Sequence, residues 1–340
     1  MGAELDAKDK KILSELDMDA RQSISSIAKK VGLSKEVVNY RIKQLEKRGV
    51  ITGYYTVLNV AKLGLMFCRF FSRVQNVNLE KEKEIYEFAK QYPEVCWVVS
   101  TKGPWDLAFV ILVNKINEFK RICDTFSFKY GSHFQERYVS IATKIHHMKH
   151  KYLYDTNRDE DKILGGDAEE ETIDDTDYKI LSIIATDARM STLDIARKLK
   201  ITPNTVKYRI KKLVEKNIIL CFRAAIGIKE LGYQRHKVIL TLQNMTEKKT
   251  RRMIEFLKQN KNVTYITESV GCGDVEFEID VRGSNELHEN LNAIRHEFGE
   301  LIRNYDICVT YSEEQVNYLP LKNSAANIPS KTQPIDIEES

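Results

Sequence analysis

The chain has 340 residues, of which 42% are hydrophobic and 30% charged, and its formal net charge is +4. This length exceeds the usual size of one compact domain, so two or more domains are expected. The sequence lacks a run near eighteen apolar residues and an apolar signal core, which argues against membrane insertion and secretion and predicts a cytoplasmic protein. Its six cysteines are scattered without a C-x-x-C pair, so neither a metal nor another cofactor is expected.

Three short helices are predicted between residues 6 and 50, each with apolar residues at helical spacing on one face. Asp6, Ser23 and Ser34 are favourable N-caps for the three helices, and Gly32 is expected to end the second one. The third helix is rich in lysine and arginine. A helix, a tight glycine turn and a basic helix together predict a helix-turn-helix.

Strand and helix signals alternate after this unit. Strands are predicted at 66–75, 95–101, 105–113 and 134–148, and helices at 79–91 and 115–129. The order β-α-β-β-α-β is that of a ferredoxin-like sandwich, in which helices cover one face of an antiparallel sheet. The other face needs a cover, and a second sheet of the same kind is the natural candidate.

A constant shift of 168 residues relates the first half of the chain to the second. The phrase YRIK at 40–43 recurs at 208–211, and the pairs Gly103/Gly271 and Asp106/Asp274 keep the same register. Such a long period indicates duplication of a domain pair rather than a solenoid. The fold class is therefore α+β, with two copies of a winged helix-turn-helix followed by a ferredoxin-like βαββαβ sandwich.

Composition divides the two copies from a linker and a tail. Residues 155–172 contain eight acidic and two basic residues, which predicts a solvated linker that can pivot. The predicted segments are a first helix-turn-helix (1–60), a first ferredoxin-like domain (61–154), the acidic flexible linker (155–172), a second helix-turn-helix (173–228), a second ferredoxin-like domain (229–321) and a disordered tail (322–340).

Positive charge is concentrated in the two helical units. Residues 5–52 hold eleven Lys/Arg against seven Asp/Glu, and residues 173–220 hold ten against six, so each unit carries +4 and the remainder of the chain carries −4. This distribution predicts double-stranded DNA as the partner of both units. An ordinary solvated basic face on a fold kept for packing is the alternative.

The order and recurrence of these motifs resemble the Lrp/AsnC family of transcriptional regulators, also called feast/famine regulators. The similarity rests on DARQSISSIAKKVGLSKEVVNYRIKQLEKRGVITGY followed by KGPWDLAFVIL, and on DARMSTLDIARKLKITPNTVKYRIKKLVEKNII followed by VGCGDVEFEID. The resemblance implies a DNA-binding regulator, not an enzyme, whose sandwich domains form homo-oligomers and sense a small effector, commonly an amino acid. A typical member has one copy per chain, so the tandem arrangement is a departure.

Candidate DNA-contacting residues lie at the start and on the exposed face of each third helix, where recognition helices reach bases and phosphates. In the first copy they are Ser34, Lys35, Glu36, Asn39, Tyr40, Arg41, Lys43, Lys47 and Arg48. In the second copy they are Thr202, Asn204, Thr205, Lys207, Tyr208, Arg209, Lys211 and Lys212.

The two helices differ where bases would be read. Asn39 is replaced by Lys207, and Glu36 is replaced by Asn204, so the two copies offer different donors to the major groove. Two different half-sites are expected. The shared basic residues, Arg41 and Arg209 among them, are assigned to phosphates, and Tyr40 and Tyr208 either contact DNA or pack.

The resemblance places an effector site near the turn that contains Gly-x-x-Asp. The candidates, in the two copies, are Thr101, Gly103, Asp106, Ser269, Gly271 and Asp274. Backbone amides and a carboxylate there suit the charged ends of an amino acid. Glycine and aspartate are also favoured in hairpin turns for conformational reasons alone.

Three alternatives stay open at this point. The histidines at 146, 147 and 150 alternate along a strand, so a basic, solvated strand end is preferred to a metal site. The two sandwiches pair either with each other or with those of another chain. Because sirohaem decarboxylases resemble the same family in fold, a decarboxylase or a metabolite-binding protein without DNA function is the alternative to a regulator.

Overall fold

The computed structural model describes residues 4–154, 161–316 and 319. Each copy begins with a three-helix unit, called here head 1 and head 2. The helices of head 1 are α1 (Ala7–Leu16), α2 (Ile24–Val31) and α3 (Lys35–Lys47). Those of head 2 are α6 (Asp175–Thr186), α7 (Thr192–Leu199) and α8 (Pro203–Glu215).

The predicted caps of head 1 are confirmed. The side chains of Asp6, Ser23 and Ser34 each accept a hydrogen bond from a backbone N–H in the first turn of their helix, which satisfies donors that a helix cannot pair internally. Gly32 ends α2 in the left-handed region with φ of 66°. Thr202 is the N-cap of α8 and Pro203 is its first residue, positions that these residue types favour.

A two-stranded sheet joins the heads, and this sheet is not among the predicted elements. Strands β1 (Ile51–Leu58) and β7 (Ile219–Ile226) pair in antiparallel fashion, with Tyr55 opposite Arg223. These two residues occupy equivalent positions at the 168-residue shift, so an approximate twofold axis passes through the pair. Head 1 and head 2 are therefore fixed to each other by backbone hydrogen bonds.

Both sandwiches have the predicted β-α-β-β-α-β order. The first contains β2 (Met66–Val74), α4 (Leu79–Ala89), β3 (Val95–Lys102), β4 (Leu107–Val113), α5 (Ile116–Tyr130) and β5 (Phe134–Met148). The second contains β8 (Gln234–Leu242), α9 (Glu247–Gln259), β9 (Val263–Val270), β10 (Val275–Val281), α10 (Ser284–Phe298) and β11 (Ile302–Val316). Strand orders β5-β2-β4-β3 and β11-β8-β10-β9 are those of ferredoxin-like sheets.

The two sheets close on each other within the chain. The long strand β5 also pairs with β9, and β11 also pairs with β3, which makes a ring of eight strands. Opposite residues at the two seams are Ile141 and Val270 on one side and Val309 and Lys102 on the other, the same two positions exchanged between copies. One chain thus forms its own pseudo-dimer, which decides the pairing that the sequence left open.

The expectation of a pivoting linker is wrong for residues 161–165. These residues form strand β6 (Asp161–Gly165), which pairs with the end of β5, and Leu164 is buried against Met18 and Tyr55. Two apolar residues within an acidic segment are enough to attach it, because one of them reaches the core. Residues 155–160 and the tail at 322–340 lie outside the described residues. Across the described ranges, no helix has the length and apolar character needed to cross a membrane.

Candidate DNA interface and effector turns

Helix α3 presents the base-reading candidates of head 1. Val38, Ile42 and Leu45 face the core of head 1, and this stripe leaves the opposite face of the helix outward. Tyr40 is 63% exposed, so it is not a packing residue. The exposed candidates are Ser34, Lys35, Glu36, Asn39, Tyr40, Lys43, Lys47 and Arg48.

Helix α8 repeats this arrangement in head 2. Val206, Ile210 and Leu213 are buried, and Tyr208 is again 63% exposed. The exposed candidates are Thr202, Asn204, Lys207, Tyr208, Lys211 and Lys212. Thr205 is half-buried, and its backbone N–H donates to the hydroxyl of Thr202. Both helices therefore expose a polar surface, with different residues at the positions that would read bases.

The arginines of the two YRIK phrases have contacts other than those expected. Arg41 donates to Asp6 and Asp9, each at 2.7 Å, and Arg209 reaches Asp177 at 2.8 Å and the cap of α6 at 2.7 Å. Two carboxylates already match each guanidinium, so these arginines hold the third helix against the first.

A buried ion pair that the sequence analysis does not predict connects the two heads. Asp17 and Arg223 are both 0% exposed, and the Arg223 Nη2 donates to Asp17 Oδ1 at 2.5 Å. The backbone N–H of His150, two residues after the end of β5, donates to the same carboxylate at 2.8 Å. Burial raises the pKa of Asp17, but the charge of Arg223 and the charge and hydrogen bonds of His150 together outweigh this effect and hold that pKa well below its usual range.

This buried cluster exists on one side of the pseudo-dimer. At the 168-residue shift Asp17 corresponds to Ala185, and Arg223 corresponds to Tyr55. The sequence shows only that each copy has a charged residue at a position where the other copy has an uncharged residue. Neither residue carries a motif, so only the fold reveals that they meet.

The candidate effector turns lie where the two copies touch. Gly103 adopts φ of 140°, and a Cβ there would clash with the backbone carbonyl of Ile307 on β11. Gly271 adopts φ of 117°, and a Cβ there would clash with the carbonyl of Val139 on β5. Glycine is therefore required for conformation and for close approach. Each turn packs against the long strand of the other copy.

The carboxylates of these turns have structural partners. Asp106 Oδ2 accepts the backbone N–H of Val74 at 3.0 Å, and Asp274 Oδ2 accepts that of Leu242 at 2.7 Å. Thr101 Oγ1 donates to a carbonyl of its own turn, and so does Ser269 Oγ. The side chains predicted to bind an effector thus also stabilise the hairpins themselves.

The two turns differ in what they offer a ligand. In the first, Lys102 reaches Asp106 at 3.0 Å, and the buried Trp105 Nε1–H has no hydrogen-bond partner. In the second, Gly273 replaces the tryptophan and Val270 is 66% exposed in place of the lysine. The first turn is the better candidate for a charged effector.

The expectation of a solvated histidine-rich strand end is wrong. His146, His147 and His150 are all buried, because β6, β9 and head 1 pack against this part of β5. His146 Nε2 lies 3.4 Å from a carboxylate oxygen of Glu268. Within residues 4–154, 161–316 and 319, the His, Cys, Asp and Glu side chains form no group of three or more that could hold a metal ion. The three histidines therefore belong to the packing of β5.

Acid is expected to destabilise the fold through His147. Burial, together with the charge of Arg223, lowers the pKa of His147 from 6.5 to about 3. Between these values the unfolded chain binds a proton that the folded chain does not, so stability falls as the pH falls. We expect wild type to lose about 1 kcal/mol more unfolding free energy than His147→Gln between pH ~7 and ~5.5, measured by urea unfolding. Glutamine is the counterpart in the other copy at position 315. Equal losses would contradict the assignment.

Comparison with known proteins agrees with this geometry. A winged helix-turn-helix DNA-binding family matches residues 5–52 and 173–219, the two heads. The "Proline dehydrogenase transcriptional activator" of Rhodobacter capsulatus is 35% identical over 121 residues, which cover 35% of this chain and 77% of the relative. The "HTH-type transcriptional regulator LrpA" of Pyrococcus horikoshii is 38% identical over 90 residues, covering 26% of this chain and 60% of the relative.

Solved structures of similar fold extend along nearly the whole chain. The crystal structure of the siroheme decarboxylase NirDL has a TM-score of 0.62, covers 93% of this chain and 94% of its own, and is 13% identical. At this identity the similarity concerns the fold alone. The heads define a winged helix-turn-helix DNA-binding regulator. The chain belongs to the Lrp/AsnC family of transcriptional regulators.

Proposed function

We propose that this chain reads a DNA target made of two different half-sites, one with each recognition helix. The supporting observation is that α3 and α8 are exposed in the same way but present Asn39 against Lys207 and Glu36 against Asn204. The β1–β7 sheet holds the two heads in one arrangement. A fixed pair of unlike readers suits an asymmetric site with fixed spacing.

Selection of bound sequences from random DNA tests this proposal. We expect two unlike half-sites at constant spacing, and affinity that falls steeply with salt because lysines displace counterions from phosphates. Asn39→Ala should change the base preference of one half-site, by about 1–3 kcal/mol for a bidentate contact. Lys47→Ala, as the matched control, should weaken all sequences alike. Two identical inverted half-sites would contradict the proposal that the two recognition helices prefer different bases. The absence of any preferred sequence would contradict sequence-specific regulation.

An amino-acid effector at the first hairpin turn is part of the proposal. The unpartnered indole N–H of Trp105 and the cation of Lys102 would hold a carboxylate there, next to the seam with β11. The relatives come from a bacterium and an archaeon, so DNA binding would place the protein in the cytoplasm. Association of chains into homo-oligomers is also proposed, and light scattering measures it.

We do not favour a decarboxylase that resembles the one of similar fold. The cavity inside the strand ring has a volume of about 150 Å³. Pockets for drug-sized ligands are typically about 300–1,000 Å³. A tetrapyrrole is at least as large as such ligands, so the cavity is too small to enclose one. A visible absorption band in the purified protein would revive the enzyme hypothesis.

A further inference from the structure

The interior of the strand ring contains a cavity that is separate from both hairpin turns. Its volume is about 150 Å³, and it lies between the sheets of the two copies. Phe67, Trp97 and Val110 line it from the first copy, and Arg235 and Lys237 from the second. Arg69 and His147 of the first copy also line it, so polar groups from both copies face a largely apolar surface.

Charges around this cavity are arranged across the pseudo-twofold axis. Arg69 and Lys237 are equivalent residues of the two copies, and both reach the buried Glu276, at 2.6 Å and 3.0 Å respectively. Burial alone would raise the pKa of Glu276, but these two cations lower it to about 2. The counterpart of Glu276 is Ala108, so one carboxylate stands between two cations.

Two buried polar atoms on residues that line the cavity have no hydrogen-bond partner. They are Arg69 Nε and His147 Nδ1. Both residues are more than nine-tenths buried, with only 5% and 7% of their surface exposed. Buried polar atoms in native proteins are nearly always satisfied, so a missing partner calls for an explanation. A bound molecule in the cavity would supply one.

We propose that the ring interior binds a small monocarboxylate with a branched apolar or aromatic tail. Its carboxylate would accept from Arg69 Nε–H, and its tail would pack against Phe67, Trp97 and Val110. Arg69, Arg235 and Lys237 are each paired with Glu276, Glu278 or Asp280. The donor of these cations that is left without a partner is Arg69 Nε–H, which suits a carboxylate oxygen. The volume suits a molecule of fewer than about ten heavy atoms, below the range for drug-sized ligands.

The two tryptophans of the chain allow each site to be observed separately. Trp97 lines the ring cavity and Trp105 lies in the first hairpin turn. In a Trp105→Phe background, 3-methylbutanoate is expected to change Trp97 emission in a saturable way. In a Trp97→Phe background, the same ligand should leave Trp105 emission unchanged. Isothermal titration calorimetry on the wild-type chain gives an independent affinity.

Substitutions locate the ligand. Arg69→Lys keeps the charge and takes the residue of the other copy, but it removes the Nε–H, so we expect affinity to fall about tenfold or more. Val110→Phe fills the cavity and should abolish binding. Lys261→Ala, at an exposed position between α9 and β9, should leave binding unchanged. Circular dichroism establishes whether each variant is folded. If Arg69→Lys is unfolded, Val110→Phe still tests whether the ligand occupies the cavity.

Three results would overturn the proposal. The first is no saturable emission change and no heat with 3-methylbutanoate or benzoate, which would mean that water fills the cavity. The second is unchanged binding by folded Val110→Phe. The third is tighter binding of L-leucine than of 3-methylbutanoate, which would assign an amino acid instead. Binding is measured without DNA, so failure here leaves the proposed regulator untouched.

Discussion

Arg223→Met is expected to lower the free energy of unfolding by about 3–5 kcal/mol, because it leaves the buried carboxylate of Asp17 without its cation. Both side chains are fully buried, and the guanidinium reaches that carboxylate at 2.5 Å and the carbonyl of Met148 at 3.0 Å. Chemical denaturation followed by circular dichroism measures the loss. The Arg223→Met substitution also removes the hydrogen bonds that connect β7 to head 1 and to the end of β5.

The double variant Asp17→Ala/Arg223→Met is the matched control. Removing both partners leaves no uncompensated buried charge, so the double variant should be more stable than Arg223→Met alone. Alanine is the natural residue at the equivalent position of the second copy, Ala185. Additive losses from the two single changes would show that the pair contributes no coupling energy, contrary to its geometry.

Replacing the predicted base-contacting residues of α3 with those of α8 should change the DNA sequence that the protein prefers. Glu36→Asn/Asn39→Lys gives α3 the exposed residues of α8 at these two positions. We expect affinity for the wild-type target to fall by about 1–3 kcal/mol for each lost base contact, which is roughly 5- to 150-fold. Selection from random DNA should then return two similar half-sites.

The reciprocal change, Asn204→Glu/Lys207→Asn in α8, controls for a general loss of DNA binding. It should alter the other half-site and leave the first one intact. Circular dichroism should be unchanged for both, since all four positions are exposed. An unchanged consensus in both variants would mean that these residues do not contact bases.

The elements that could be predicted are those with local signals. Asp6, Ser23, Ser34 and Thr202 are caps with a defined hydrogen-bonding role, and the alternation of apolar residues marked the sandwich strands. The order β-α-β-β-α-β then gave the fold. Solvent exposure of Asn39 and Lys207 also followed from helical periodicity, because the inward stripe was evident.

What could not be predicted depends on contacts between distant segments. Pairing of β1 with β7, attachment of β6 and burial of His147 all join residues far apart in the chain, and an acidic composition outweighed the signal of Leu164. Local sequence favours phosphate contacts for Arg41 and Arg209, because the carboxylates that pair with each of them lie 32 and 35 residues earlier in the chain.

Joining two copies in one polypeptide changes which amino acids are possible on the twofold axis. In a dimer of identical subunits, a residue on that axis faces itself, so an arginine there would meet a second arginine of like charge. Here the two axial positions carry Tyr55 and Arg223. In a single chain each side of the axis is encoded separately, so the buried Asp17–Arg223 pair can be present on one side only, which two identical subunits could not achieve.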